Sequence, residues 1–212
     1  MTLPIYRLSI TYLVFLIFYN NSFGQIKYNL QYIDSTSSEV TIEIELPEPV
    51  LSQSLSFVMP RCVPGSYNII LYDRFVQNVT AVGTKSNPIK MQKNSLDAPR
   101  WNIADSDIQI KSIRYAVDLA AMEKGIAALS DFSVLRKNYI GMLNYSIFGW
   151  IDGTEEKNVS CTVQTFKNWE IYSTLSPKEN PDKESYTFNA INYYELADGQ
   201  TLLGAFRVKK FN

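Results

Sequence analysis

The residues able to do chemistry in this chain are few in kind: two cysteines, Cys62 and Cys161, and no histidine among 212 residues. Histidine is the usual general base near neutral pH and the commonest zinc ligand. A Ser/His/Asp triad, a Cys/His pair and an HExxH zinc site are therefore all excluded within this chain. Carboxylates, lysines and tyrosines remain. Two carboxylates flanking a scissile bond can do acid–base work, but 21 Asp and Glu are no more than a solvated surface requires. Asp105-Ser106-Asp107 and Glu155-Glu156 are the local acidic clusters. Neither has the spacing of a calcium loop, and both read as solvated turns. No catalytic, cofactor-binding or metal-ligating residue is assigned, and no cofactor is expected. With a net charge of −1 there is no basic field to gather phosphates, so nucleic acid is not an expected partner.

The first residues look like an address. Met1 to Arg7 carries one side-chain charge, and Leu8 to Tyr19 is almost wholly apolar. Asn20 and Asn21 end that run, and Ser22-Phe23-Gly24 places small residues at its first and third positions. This is the layout of a secretory signal peptide, with residues 1–24 removed and Gln25 as the mature start. The apolar run would span about 18 Å as a helix against roughly 30 Å of hydrocarbon, so stable membrane insertion is not expected. The expected location is exported: periplasmic, cell-surface or secreted. Export would permit a disulfide, but spacing alone cannot bring Cys62 and Cys161 together. The favoured reading is two buried apolar thiols.

The elements that must position these groups are mostly strands. Aromatic residues make up 13%, with 14 Tyr and 11 Phe, and these favour the half-buried surface of a sheet. Val40, Ile42, Ile44 and Leu46 alternate with Thr41, Glu43 and Glu45, a half-buried strand that Pro47 and Pro49 are expected to stop. Ser54 to Met59 and Phe75 to Val82 are further runs. Ile108 and Ile110 share one face, and Ile113, Tyr115, Val117 and Leu119 continue with switched parity, predicting a β-bulge near Lys111 and Ser112. The segments Leu143 to Ile147 and Val159 to Thr165 are expected to pair as a hairpin around Asp152-Gly153. Tyr186 to Ala190 and Leu202 to Val208 are the last predicted strands, with Ser176 to Glu184 a surface loop. Helix is confined to an alanine-rich stretch, Ala116 to Leu129, interrupted by Gly125, and a turn at Asn192 to Leu196. The predicted class is all-β: an antiparallel β-sandwich or strongly bent sheet with little helix, in one domain over residues 25–212.

Certain segments recur in a known order. PRCVPGSYNIILYDRF begins at Pro60, Trp101 follows, and Arg114-Tyr115-Ala116-Val117 lies in a strand. GMLNYSIFGWIDG runs from Gly141 to Gly153, then come Asn168-Trp169, Ser173-Thr174-Leu175, Phe188-Asn189-Ala190 and NYYELADG. This set resembles the N-terminal domain of the glycyl aminopeptidase family of zinc peptidases, the M-61 family, over nearly the whole mature chain. Each piece also has a plain physical reading. Pro64-Gly65 is a turn, Tyr67 and Trp101 are core aromatics, and Asp198-Gly199 is a turn before the last strand. Cys62 stands where the family has Trp or another apolar residue, and Gly-Gln follows Asp198 in place of a Ser-Pro-like pair.

The resemblance implies a β-domain that is followed, in the family, by a zinc-binding catalytic domain and often by a PDZ-like one. Without histidine, no position here matches the zinc ligands. The expected role is to brace a catalytic domain absent from this chain and to wall one side of its peptide cleft. The chain would then be a fragment, a truncated paralogue or one half of a split enzyme, its partner a missing or separately encoded catalytic domain. The alternative is a free-standing extracytoplasmic module binding peptide or glycan. Leu202, Leu203, Phe206 and Phe211 mark the expected edge of the partner surface, with a homodimer as the other use of that edge.

Overall fold

A computed structural model describes residues 24–66, 68–84, 88–95, 97–104, 107–129, 131–178 and 185–207. The expected export segment, apart from Gly24, lies outside the described residues, as do Tyr67, Asp105, Ser106, Val208 and Phe211.

Sixteen strands are present among the described residues: β1 (Ile26–Gln31), β2 (Glu39–Leu51), β3 (Ser56–Val58), β4 (Val76–Gly83), β5 (Ile89–Lys90), β6 (Gln92–Lys93), β7 (Arg100–Asn102), β8 (Gln109–Asp118), β9 (Val134–Arg136), β10 (Tyr139–Leu143), β11 (Trp150–Ile151), β12 (Val159–Gln164), β13 (Glu170–Ser173), β14 (Ser176–Lys178), β15 (Ser185–Ala190) and β16 (Gln200–Gly204). Helix is limited to α1 (Leu119–Ile126), α2 (Tyr193–Asp198) and short 3-10 turns. The all-β class predicted from alternation is the observed one.

An eight-stranded sheet in the order β14-β15-β12-β1-β2-β8-β4-β5 forms the frame. Its strands alternate, as a sheet wet on one face must. Val40, Ile42 and Ile44 point into the core with Ile113, Tyr115 and Val117. On the other face the polar side chains join across strands: Ser112 donates to Glu43 at 2.6 Å, Arg114 meets Glu43 at 3.0 Å, and Asn29 donates to Glu45 at 3.0 Å. The dry face is covered by two four-stranded sheets, β13-β16-β10-β9 and β11-β3-β7-β6. Phe57 on β3 packs on Tyr115 at 4.6 Å between ring centroids, and Phe148 meets Tyr28 edge-on at 5.6 Å. Trp101 and Trp169 are both buried, as expected of core aromatics; Trp169 closes one end of the core with Tyr32 and Phe166.

The bulge lies where parity placed it. Val82 pairs with Ser112 and Gly83 with Ile110, leaving Lys111 as the extra residue of β8. Four other expectations are corrected. Pro47 and Pro49 do not end β2. Glu45 pairs with Ser112 and Val50 with Ile110, so the two prolines sit in an excursion of the strand where no ladder donor is required. The turn at Asp152-Gly153 exists, with Gly153 at φ +78, but its flanks are not a hairpin. β10 pairs with β9 and β16, residues Asn144–Ser146 form a 3-10 turn, and β12 pairs with β1 and β15. The β1–β12 pairing is parallel, so the sheet is not wholly antiparallel. Finally, Ser176–Lys178 is a strand paired with β15, not loop.

Candidate functional site

The core is pinned by tyrosine hydroxyls. Residues Ile147 to Gly149 run through the interior without a ladder partner, and a buried backbone group left unpaired would be costly. Three buried tyrosines from three elements supply the partners. Tyr28 on β1 donates to the Gly149 carbonyl at 3.0 Å, and Tyr193 on α2 donates to the Phe148 carbonyl at 2.9 Å. Tyr115 on β8 donates to the Ile147 carbonyl at 3.1 Å and accepts from the Gly149 N–H at 3.1 Å. Burial pushes all three phenols well above the ordinary tyrosine range. Each serves here as a hydrogen-bond donor to an interior carbonyl.

Helix α2 is held against this segment by its own chemistry. Asn192 caps it by accepting from the Glu195 N–H at 3.0 Å, while Glu195 accepts from the Ile191 N–H at 2.5 Å, a relative of the capping box. The Glu155-Glu156 pair is more than a solvated turn. Glu155 accepts from the Trp150 indole at 2.9 Å, and its carbonyl accepts from the Tyr193 N–H at 2.9 Å.

Sequence reasoning missed a buried ion triad. Asp73 lies in the 3-10 turn Tyr72–Arg74 with its side chain fully buried. Arg61 grips it with two hydrogen bonds, 2.8 Å from Nε and 2.9 Å from Nη2, and Lys93 adds a third at 2.5 Å. Burial alone would raise the Asp73 carboxyl, but the bonds from Arg61 and Lys93 outweigh it and hold it below the ordinary carboxylate range. Arg61 also donates to the Asp97 carbonyl at 2.5 Å, and the Lys93 ammonium lies over the Trp101 ring at 5.1 Å from the centroid. The triad fixes the segment from Arg61 to Asp73, whose Ser66 hydroxyl donates to Asp131 at 3.0 Å. The only hint in the sequence was the charged pair Asp73-Arg74 within an otherwise apolar run, Ile69 to Phe75.

The two cysteines are both free and differ in setting. Cys161 is buried, and burial pushes its thiol up to about 12. Cys62 is exposed. This corrects the expectation of two buried thiols: Cys62 belongs to the loop before the Pro64-Gly65 turn, not to a strand. Among the described residues no group of three or more Cys, Asp or Glu side chains is placed to hold a metal ion.

The outer face of the β13-β16-β10-β9 sheet is the feature suited to contact. Ile171, Leu203, Ile140 and Met142 point inward. The opposite parity aligns Tyr172, Leu202, Gly141 and Val134 in one cross-strand row. Tyr172 is 44% exposed and Leu202 38%. Phe132 and Asp131 border the row, and the resulting concavity holds about 640 Å³. The expected edge is thereby divided: Leu202 and Phe206 belong to this outer face, whereas Leu203 is core. Gly141 and Tyr172 carried no signal of their own, because the face exists only through pairing between distant strands.

The pattern of the Peptidase M61 N-terminal domain matches residues 27–205. The chain belongs to that family. Among solved structures it is similar to an aminopeptidase N family protein from Idiomarina loihiensis, with TM-score 0.72 and 18% identity, over 89% of this chain and 30% of that one. It is also similar to yeast LTA4 hydrolase in complex with bestatin (TM-score 0.46, 13% identity, 85% of this chain and 28% of that one). An M1 zinc metallopeptidase from Deinococcus radiodurans matches with TM-score 0.43 and 9% identity, over 85% of this chain and 41% of that one. The chain thus spans about a third of the length of these structures. No curated protein matches it.

Proposed function

We propose that this β-domain braces the catalytic domain of a zinc aminopeptidase and walls one side of its peptide cleft, supplying no catalytic group itself. The observation that carries this reading is the exposed Tyr172–Leu202–Gly141–Val134 row. Tyr172 and Leu202 are exposed and lie beside half-buried Gly141 and Val134, so the row forms one contiguous apolar strip of the kind that interaction sites use. The absence of histidine fits a supporting role, because a zinc hydrolase needs three protein ligands and an activated water.

The test is reconstitution. The purified chain alone, with or without zinc, is expected to give no hydrolysis of glycyl or alanyl anilides. The Idiomarina loihiensis protein deprived of the portion that this chain matches is expected to gain thermal stability and anilide turnover when this chain is added. Zinc-dependent turnover by the chain alone, abolished by chelator and surviving repurification, would refute the non-catalytic reading. No gain on mixing would refute the bracing one.

We also infer that the chain is exported through residues 1–24. Mass spectrometry of the exported protein is expected to find a mature start at Gln25. Recovery of the intact N-terminus embedded in membrane would overturn this.

A further inference from the structure

The ion triad borders a cavity of about 520 Å³, within the size range of small-ligand sites. Asp73, Arg74, Val76, Lys93, Asp97 and Trp101 line it. The triad itself does not balance. One carboxylate serves two cations, whose side chains are only 22% exposed at Arg61 and 21% at Lys93. One unit of positive charge is therefore left where water screens it poorly. Lys93 gives one hydrogen bond to Asp73 and holds its ammonium over the Trp101 ring, and an ammonium has three donors to give. Arg74 is exposed and, among the described residues, pairs with no carboxylate. The opposing group is Asp97. Its side chain is exposed and acts on Arg61 through space, while its backbone carbonyl takes the Arg61 hydrogen bond. Arg61, Arg74 and Lys93 set against Asp73 and Asp97 leave a net charge of +1 around the cavity.

We infer that this cavity binds a carboxylate carried on an apolar stem, as a peptide C-terminus or a free organic acid presents it. The inference stands apart from the bracing reading. The sign of the ligand follows from the leftover charge, and so does its size. A carboxylate brings one negative charge and neutralises the cluster. A phosphate group brings roughly −1.5 to −2 near neutral pH and would overshoot it. The donors suit the same group. The Arg74 guanidinium offers the parallel N–H pair that a planar carboxylate accepts, and Lys93 offers a point charge beside it. The stem follows from the remaining walls, Val76 and the Trp101 ring, which are apolar. Asp73 takes no part in holding the ligand. It fixes Arg61 and Lys93 in place, so the positive charge is set in position before anything binds.

The experiment is a nuclear magnetic resonance titration that follows the Trp101 indole N–H in the nitrogen-labelled chain. N-acetyl-leucine is the probe, and N-acetyl-leucinamide, which lacks the charge, is its control. The acid is expected to move the signal saturably, with a dissociation constant of about 1 mM or tighter, and the amide to leave it in place. Arg74→Gln removes an exposed cation that lies outside the triad. It is expected to melt with wild type and to bind the acid about tenfold more weakly or worse. An acetylated tripeptide ending in leucine separates the two sources. Tighter binding than N-acetyl-leucine assigns a peptide C-terminus, and equal binding assigns free acids; both uphold the site. Three results overturn it: no saturable shift with the acid, an equal shift with the amide, or tighter binding of inorganic phosphate than of the acid. Unchanged binding by a folded Arg74→Gln would also overturn it.

Discussion

Asp73→Ala is expected to lower the unfolding free energy by about 3 kcal/mol, the lower end of the range for breaking a buried ion pair from one side. The carboxylate side chain is fully buried, while Arg61 and Lys93 are 22% and 21% exposed. Its removal leaves two cations facing each other with only partial access to water, and this residual charge costs more than the lost bonds. Some solvation of Arg61 and Lys93 keeps the loss from the top of the range. The measurement is urea unfolding at neutral pH, and a change below about 1 kcal/mol would mean that the triad behaves as a surface pair. The same geometry sets a pH dependence. Arg61 and Lys93 keep the folded-state carboxyl below its unfolded value. The stabilisation is therefore complete above the unfolded value, about pH 4, and fades as pH falls toward the folded one. Asp73→Ala should flatten that acid limb of the stability profile.

Much of the frame was legible because it is local. The alternation of Val40, Ile42 and Ile44 with Thr41 and Glu43 fixes which face of β2 is dry, and a parity change within one run was enough to locate Lys111 as a bulge. Asn192 and Asp118 are good caps, and each caps the helix that follows it. What failed was pairing. Nothing local in Val159 to Gln164 states that its neighbour is Ile26 to Gln31, or that the two run parallel. The Asp152-Gly153 turn is a genuine signal of a chain reversal, but a reversal joins a hairpin only if its flanks then find each other. Here β11 pairs with β3 instead. Pro47 and Pro49 misled for a related reason: a proline forbids a ladder donor, not an excursion that needs none. The candidate surface shared this fate. Leu202 could be named from sequence, but its partners Gly141 and Tyr172 stand beside it only because β16 lies between β10 and β13. The buried triad was equally hidden, since Arg61, Asp73 and Lys93 meet through three separate segments.

Gly149→Ala is expected to destabilise the domain by about 3 kcal/mol or more, at or beyond the upper end for overpacking a core. A Cβ at Gly149 would stand 2.4 Å from the Val58 carbonyl oxygen and 2.6 and 2.7 Å from the Phe57 ring. The first contact is with backbone, in a strand held on both sides: Val58 pairs with Arg100 and with Trp150. The second is with a ring wedged against Tyr115 and Trp101. Neither neighbour can step aside, so residue 149 itself would have to retreat. Retreat breaks its two tyrosine bonds, the carbonyl's from Tyr28 and the N–H's to Tyr115, and each buried group left unpaired adds about 1–3 kcal/mol. Tyr115→Phe separates the two contributions: it removes the hydroxyl partner of Gly149 without adding volume, and should cost about 1–3 kcal/mol. Thermal melting of both variants beside wild type is the measurement. If Gly149→Ala melts within a degree or two of wild type while Tyr115→Phe does not, the close approach of β3 to this segment is wrong. The glycine preceding Trp150 is then no requirement of the packing.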